Sequence, residues 1–188
     1  MVGKVKAAVL TNVREMKVRD FPKPEVADDC ALFKVDACGV CGTDPHIYEG
    51  HLPVPYPIIL GHEASCTIEE MGSKFPRLDS LGNKIEEGYR VTMCAATPCG
   101  QCYFCKFEAH RSNLCEQGPV YGITLSCADP PHLFGAYSEY LYVLPRSWIY
   151  KAPEDMKPEV LALVDPLSVG VRGLERAYQP GIPYAWDG

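Results

Sequence analysis

At 188 residues and 20.8 kDa, the chain has room for one domain, or for one domain with a piece of a second. A composition of 47% hydrophobic and 22% charged residues supports a packed core and excludes a disordered chain. The net charge of −6, with no block of Lys or Arg to track phosphates, argues against a nucleic-acid partner.

In chain order, the N-terminal run from Met1 to Leu10 is broken by Lys4 and Lys6, so it reads as neither a signal peptide nor a membrane span. Ten cysteines without an export signal favour reduced thiols and metal ligation, with the cytoplasm as the expected compartment. The 17 prolines and 16 glycines leave little room for long helices before Pro153. Between them lie short runs of β character at 5–10, 31–37, 64–71, 90–94 and 136–144. Several short strands with turn signals predict a mainly β fold, an irregular barrel or sandwich. The proline-rich stretch 50–60 reads as an extended loop, and the polar stretch 74–87 as an exposed one.

After Pro153 the pattern changes. Pro158 suits a helix start, with Glu159 favoured by the helix dipole. Pro166 predicts a break that projects Asp165 between two helices, and Leu167, Val171, Leu174 and Tyr178 then recur on one helical face. Pro180-Gly181 is the expected end of that helix, and 182–188 carries no recognisable element.

Two constellations carry chemistry. Cys99, Cys102, Cys105 and Cys115 stand at C-x2-C-x2-C-x9-C, beside Pro98 and Gly100, which suit a tight knuckle. Four thiolates at this spacing can surround one tetrahedral zinc in a closed site; incidental buried cysteines or two disulfides are the bland alternatives. His110 lies inside the last gap, so a Cys3His site is a second possibility. The other constellation is Cys41-Gly42-Thr43-Asp44-Pro45-His46 followed by Gly61-His62-Glu63. Cys41 and His62 suit zinc, and an open catalytic site needs a third ligand, for which Asp165 leads on residue type and placement and Glu63 follows. A lone histidine is more often a satisfied core residue, and Thr43 and Asp44 would cap a short helix in any fold. Cys38 and Cys41 also form a C-x-x-C, but no thioredoxin-like frame accompanies it. Cys30, Cys66, Cys94 and Cys127 read as small buried hydrophobes.

The string Ala-Cys-Gly-Val-Cys-Gly-Thr-Asp-Pro-His, then Leu-Gly-His-Glu, then the four-cysteine lobe, resembles the zinc-dependent medium-chain alcohol dehydrogenases over residues 4–181. Asp165-Pro166-Leu167 resembles the stretch where sorbitol- and threonine-type members carry an acidic residue. The resemblance implies a GroES-like β-barrel catalytic domain over 1–157, with a structural zinc lobe at about 94–120 and the helical start of a connection to a cofactor domain at 158–188. It implies two zincs: one held by Cys99, Cys102, Cys105 and Cys115, and one by Cys41, His62 and Asp165, with Glu63 as an exchangeable ligand. By the same resemblance Asp44 orients His62, Thr43 touches the substrate oxygen, and His46 ends a proton relay. The implied reaction exchanges hydride between an alcohol or carbonyl substrate and NAD or NADP.

One departure is large. No Gly-x-Gly-x-x-Gly occurs in the 188 residues, so the doubly wound cofactor domain is absent from them, and hydride transfer by this chain alone is not expected. Apolar surface on 158–178 would then need a partner chain or a second copy to cover it. A stand-alone zinc-binding scaffold without turnover is the rival reading.

Overall fold

The computed structural model of the chain describes residues 3–108 and 114–178. His110, Pro180-Gly181 and residues 182–188, on which expectations were placed, lie outside the described residues.

Strand β1 (Lys4–Asn12) buries Val5, Ala7, Val9 and Leu10. It pairs antiparallel with β2 (Glu15–Pro22) in a register that sets Val9 opposite Lys17. The apolar-run search misses β2 because the strand lies at the sheet edge, and of its residues only Phe21 is even half-buried. On the other side of β1 sits the two-residue strand β4 (Ile58–Ile59), a buried pair inside the stretch expected to be loop. A second sheet, in order β7-β3-β5-β6-β8, joins β3 (Ala31–Cys38), β5 (Ala64–Met71), β6 (Arg90–Met93), β7 (Tyr140–Val143) and β8 (Ile149–Lys151). Every pairing in it is antiparallel. An isolated bridge, Ala7 to Ser138, flanked by the bonds Ala8 N–H to Tyr137 O and Glu139 N–H to Lys6 O, joins β1 to the segment leading into β7. Among the described residues the pairings leave both sheets open rather than closing one ring. The fold is thus mainly β with short helices, as the proline and glycine density predicts.

Phe33, Ile68, Val91, Leu141 and Tyr121 form the centre of the largest core cluster, inside the five-stranded sheet. Val5, Val9, Leu32 and Leu133 fill a second cluster against the smaller sheet. Full burial of such side chains contributes roughly 1.5–3 kcal/mol each, so these clusters fix where the strand ends point. Two short helices, α1 (Thr43–Tyr48) and α2 (Tyr103–Phe107), interrupt the β structure at the two cysteine motifs.

Two expectations need refining. The 74–87 stretch forms no strand or helix and is mostly exposed, as expected, but Phe75, Asp79 and Ile85 are buried and anchor it. The Asp79 carboxylate accepts the backbone N–H groups of Leu81, Asn83 and Lys151 and the Asn83 amide, which pins the loop to β8. The helix break also falls elsewhere. Helix α3 (Pro158–Ala162) starts at Pro158 as expected, but the interruption is at Leu163, and Asp165 and Pro166 lie in the first turn of α4 (Val164–Ala177). A proline costs nothing there, because first-turn N–H groups have no partner within the helix. The apolar face of α4 is exposed: Leu167 at 63%, Leu174 at 60% and Tyr178 at 70%.

Two candidate metal centres

The four-cysteine lobe is built locally. Cys102, in extended backbone geometry after the left-handed turn at Gly100, is the N-cap residue of α2, whose single turn lifts Cys105 back beside it. The backbone folds its own amides onto the sulfurs: Gln101 and Cys102 N–H point at Cys99 Sγ, 3.4 and 3.3 Å away, and Cys99 N–H points at Cys115 Sγ at 3.2 Å. All four sulfurs lie within 4.8 Å of one another. The Cys99–Cys105 and Cys102–Cys115 separations are 4.0 and 3.9 Å. Tetrahedral zinc with sulfur at about 2.3 Å has edges of about 3.8 Å, so the donor set fits that ion. The same separations are far from a disulfide bond of about 2.05 Å, and all ten cysteines are free. The thiols are not equivalent without metal. The Cys99 amide lowers Cys115 to about 6, whereas desolvation pushes Cys105 up to about 12.

The second centre is built by the sheet. Cys38, the last residue of β3, sits opposite Ala64, the first of β5, and the ladder continues as Gly39 N–H bonds Glu63 O at 2.9 Å. Residues just after β3 and just before β5 must therefore meet. Cys41, His62 and Glu63 do so, with ligand atoms mutually within 4.8 Å. His62 and Glu63 are buried, each only 7% exposed. Gly39 makes the cradle: a Cβ there would stand 2.1 Å from Glu63 Oε2. Gly61, held at φ +90°, has no room for one either, since it would meet the Tyr137 ring at 2.5 Å and Cys38 Sγ at 3.0 Å.

Asp44 is buried beneath this trio. The N-cap of α1 is Gly42, with no side-chain cap bond. Asp44 Oδ2 instead accepts Cys41 N–H at 2.8 Å and the Tyr137 hydroxyl at 2.9 Å. Its Oδ1 faces His62 Nδ1 at 3.9 Å, and both atoms are buried without a hydrogen-bond partner. The contrast with Asp79, whose charge is met entirely by N–H donors, is informative. Burying a carboxylate oxygen and an imidazole nitrogen unpaired costs roughly 1–3 kcal/mol per group, and a cation held by Cys41, His62 and Glu63 would offset that cost. Burial and the Asp44 carboxylate together push the Tyr137 hydroxyl well above its ordinary range, so Tyr137 acts as a donor. Desolvation pushes the neighbouring Cys38 thiol up to about 12, which leaves it a buried S–H bonded to Gly39 O rather than a reactive thiolate.

The remaining candidates sit as follows. Thr43 Oγ1 is 3.5 Å from Cys41 Sγ. His46 is exposed on the last turn of α1. Asp165 is half-buried and stands outside the Cys41–His62–Glu63 set, although it feels that set: burial raises its carboxyl and His62 lowers it. Glu63 belongs to the set because it adjoins His62 in the segment that leads into β5, whereas Asp165 arrives on a separate helix. Sequence reasoning missed Tyr137 and Gly39. Nothing local in the sequence marks Tyr137; its hydrogen bond to Asp44 and its ring against Gly61 come from the fold.

Comparison with known proteins follows this geometry. Residues 27–154 match the family described as Alcohol dehydrogenase GroES-like domain. The chain is 35% identical over 169 residues to "Probable alcohol dehydrogenase" of Mycobacterium tuberculosis, covering 89% of this chain and 45% of that protein. It is 34% identical over 182 residues to the sorbitol dehydrogenase of Bacillus subtilis, covering 94% and 47%. Among solved structures, a zinc-binding dehydrogenase from Sinorhizobium meliloti bound to NADP superposes with a TM-score of 0.77 at 33% identity, over 93% of this chain and 46% of that one. The chain spans less than half the length of the curated relatives it matches.

Proposed function

The chain belongs to the alcohol dehydrogenase GroES-like domain family, and on that premise we propose that it is the zinc-binding catalytic half of an NAD(P)-linked alcohol or polyol dehydrogenase. The observation that carries this reading is the Cys41–His62–Glu63 trio, with His62 and Glu63 buried, Cys41 partly so, and Asp44 facing His62. Cys41 and His62 would hold a zinc, with Glu63 and Asp165 as alternative carboxylate donors. When bound, that ion polarises a carbonyl or acidifies an alcohol. Asp44 Oδ1 faces His62 Nδ1 at 3.9 Å, so that with a metal held on Nε2 the carboxylate would favour the Nδ1–H tautomer and orient the ring. Tyr137 and the Cys41 amide hold Asp44 for that task. Thr43 would accept the proton of the substrate hydroxyl while giving its own outward towards His46, which, exposed on the last turn of α1, exchanges it with water. The four-cysteine lobe holds a second, structural zinc.

The body over 1–157 is the catalytic domain in this reading. The exposed apolar stripe of α4 is then a contact surface for a cofactor-binding half, a partner chain or a second copy. No helix among the described residues is long and apolar enough to cross a membrane, and free cysteines suit a reducing cytoplasmic setting.

Metal analysis tests the proposal. Two zincs per chain are expected, the Cys41 one lost first to a chelator, and Cys41→Ser should remove one equivalent. A single firmly held zinc that Cys41→Ser leaves unchanged is what a scaffold would show, and would overturn the catalytic reading. Tight NAD or NADP binding by the 188 residues alone would refute the absence of a cofactor site.

A further inference from the structure

The C-terminus of α1 brings two imidazoles together for a backbone reason. Gly50, in the left-handed region at φ +79°, follows the C-cap Glu49. Gly50 N–H bonds Ile47 O at 3.0 Å and His51 N–H bonds His46 O at 2.8 Å. These are the two crossed bonds of a Schellman cap, in which the residues two beyond the cap and three before it are brought into contact. That contact is ordinarily apolar. Here the two positions are His51 and His46, both exposed, with Nδ1 atoms 3.3 Å apart and ring centroids 5.6 Å apart.

The frame under the pair is fixed. Arg14 N–H bonds Tyr48 O at 2.8 Å, Tyr48 O–H bonds Arg14 O at 3.0 Å, and the Arg14 guanidinium bonds Glu49. A Cβ at position 50 would meet Val13 Cγ2 at 2.8 Å, so the glycine is required by packing as well as by its φ. The backbone that carries the two imidazoles is thus set, and each ring has the other as its partner.

We propose that His46 and His51 form a third, surface metal site, which takes a first-row divalent cation such as zinc between their Nδ1 atoms. The spacing is the basis: zinc–nitrogen bonds of about 2.0–2.1 Å at tetrahedral angles put two nitrogens about 3.3 Å apart. Imidazole pairs suit zinc, copper and nickel, with water completing the shell. The site shares no ligand with the two cysteine-bearing centres, so the binding stands whether or not the proposed function does. Its consequence for turnover rests on that function: a metal on His46 would withdraw the outer end of the proton relay, and excess zinc would then slow the complete enzyme.

Zinc titration of the zinc-loaded chain, followed by the imidazole ring resonances in NMR, tests the site. His46→Ala and His51→Ala supply the assignments, and their melting curves report whether they fold. The His46 and His51 signals should shift together and saturate with a Kd on the order of 10 μM, and each variant should weaken binding at least tenfold. Zinc bound equally well by either variant overturns the site. So does a titration in which neither ring responds up to about 1 mM, as a plain imidazole–imidazole hydrogen bond would give. A response confined to His62 also overturns it, while reporting that the Cys41 centre was still filling and leaving the proposed function standing.

Discussion

The two cysteine-bearing centres reach similar donor spacings by opposite routes. The lobe gathers four sulfurs from seventeen consecutive residues and stabilises them with its own amides, so the chain needs only a loop and one turn of helix to make it. The Cys41 centre draws donors from segments twenty residues apart, and depends on the β3–β5 register to bring them together. One centre organises its surroundings, and the other is organised by them. Loss of metal should therefore act locally on the first in structure, and leave the second largely standing but electrostatically unbalanced.

The largest effect expected is on the lobe. Cys99→Ser should release its zinc, forfeiting on the order of 10 kcal/mol of binding free energy, and hydrogen exchange should accelerate within 94–120 while 64–71 stays protected. Emptying of the Cys41 centre by the same change would show that the two are not independent. Next, Asp44→Asn should weaken metal at the Cys41 centre by about 10–100-fold with no change at the lobe, read by competition with a chelator. Equal loss at both centres would contradict the division.

Asp79 supplies the control, as a buried carboxylate that no metal needs to satisfy. Desolvation works to raise its pKa, but the Lys151 amide and the other N–H donors outweigh that and lower it to about 2. The stability this gives is fully present above the unfolded value near 3.8 and is lost as pH falls towards 2. It amounts to about 2 kcal/mol. Acid unfolding of Asp79→Asn should lack that part of the transition, alike in metal-free and metal-loaded protein. The smallest effect belongs to Tyr137→Phe, where one hydrogen bond to Asp44 is lost. About 1 kcal/mol of stability should go, together with a several-fold loss of metal affinity at the Cys41 centre alone.

How far each region could be read from sequence follows the same division. The lobe was legible because its ligands are neighbours in the chain. Strands β3, β5 and β6 were legible because Phe33, Ile68 and Val91 mark buried faces. Strand β2 escapes notice because its alternation is short, with only Met16 and Val18 between charged residues, and both are exposed on an edge strand. The break at Leu163 rather than Pro166 escaped because proline is as welcome in a helix's first turn as it is unwelcome later. Asp165 leads over Glu63 on residue type and on its expected placement at a helix break, but where its carboxylate stands depends on how α4 packs, which no local pattern encodes.

Gly61 gathers several of these constraints on one α-carbon. Its carbonyl accepts Ala136 N–H at 2.9 Å, its backbone lies against Gly122, and its missing side chain leaves the space that Tyr137 and Cys38 occupy. For anyone building a mutant library around the Cys41–His62–Glu63 trio, position 61 should be left fixed. Every other amino acid there adds an atom to occupied space in a backbone conformation that already disfavours it, so surviving clones should return glycine regardless of the activity selected.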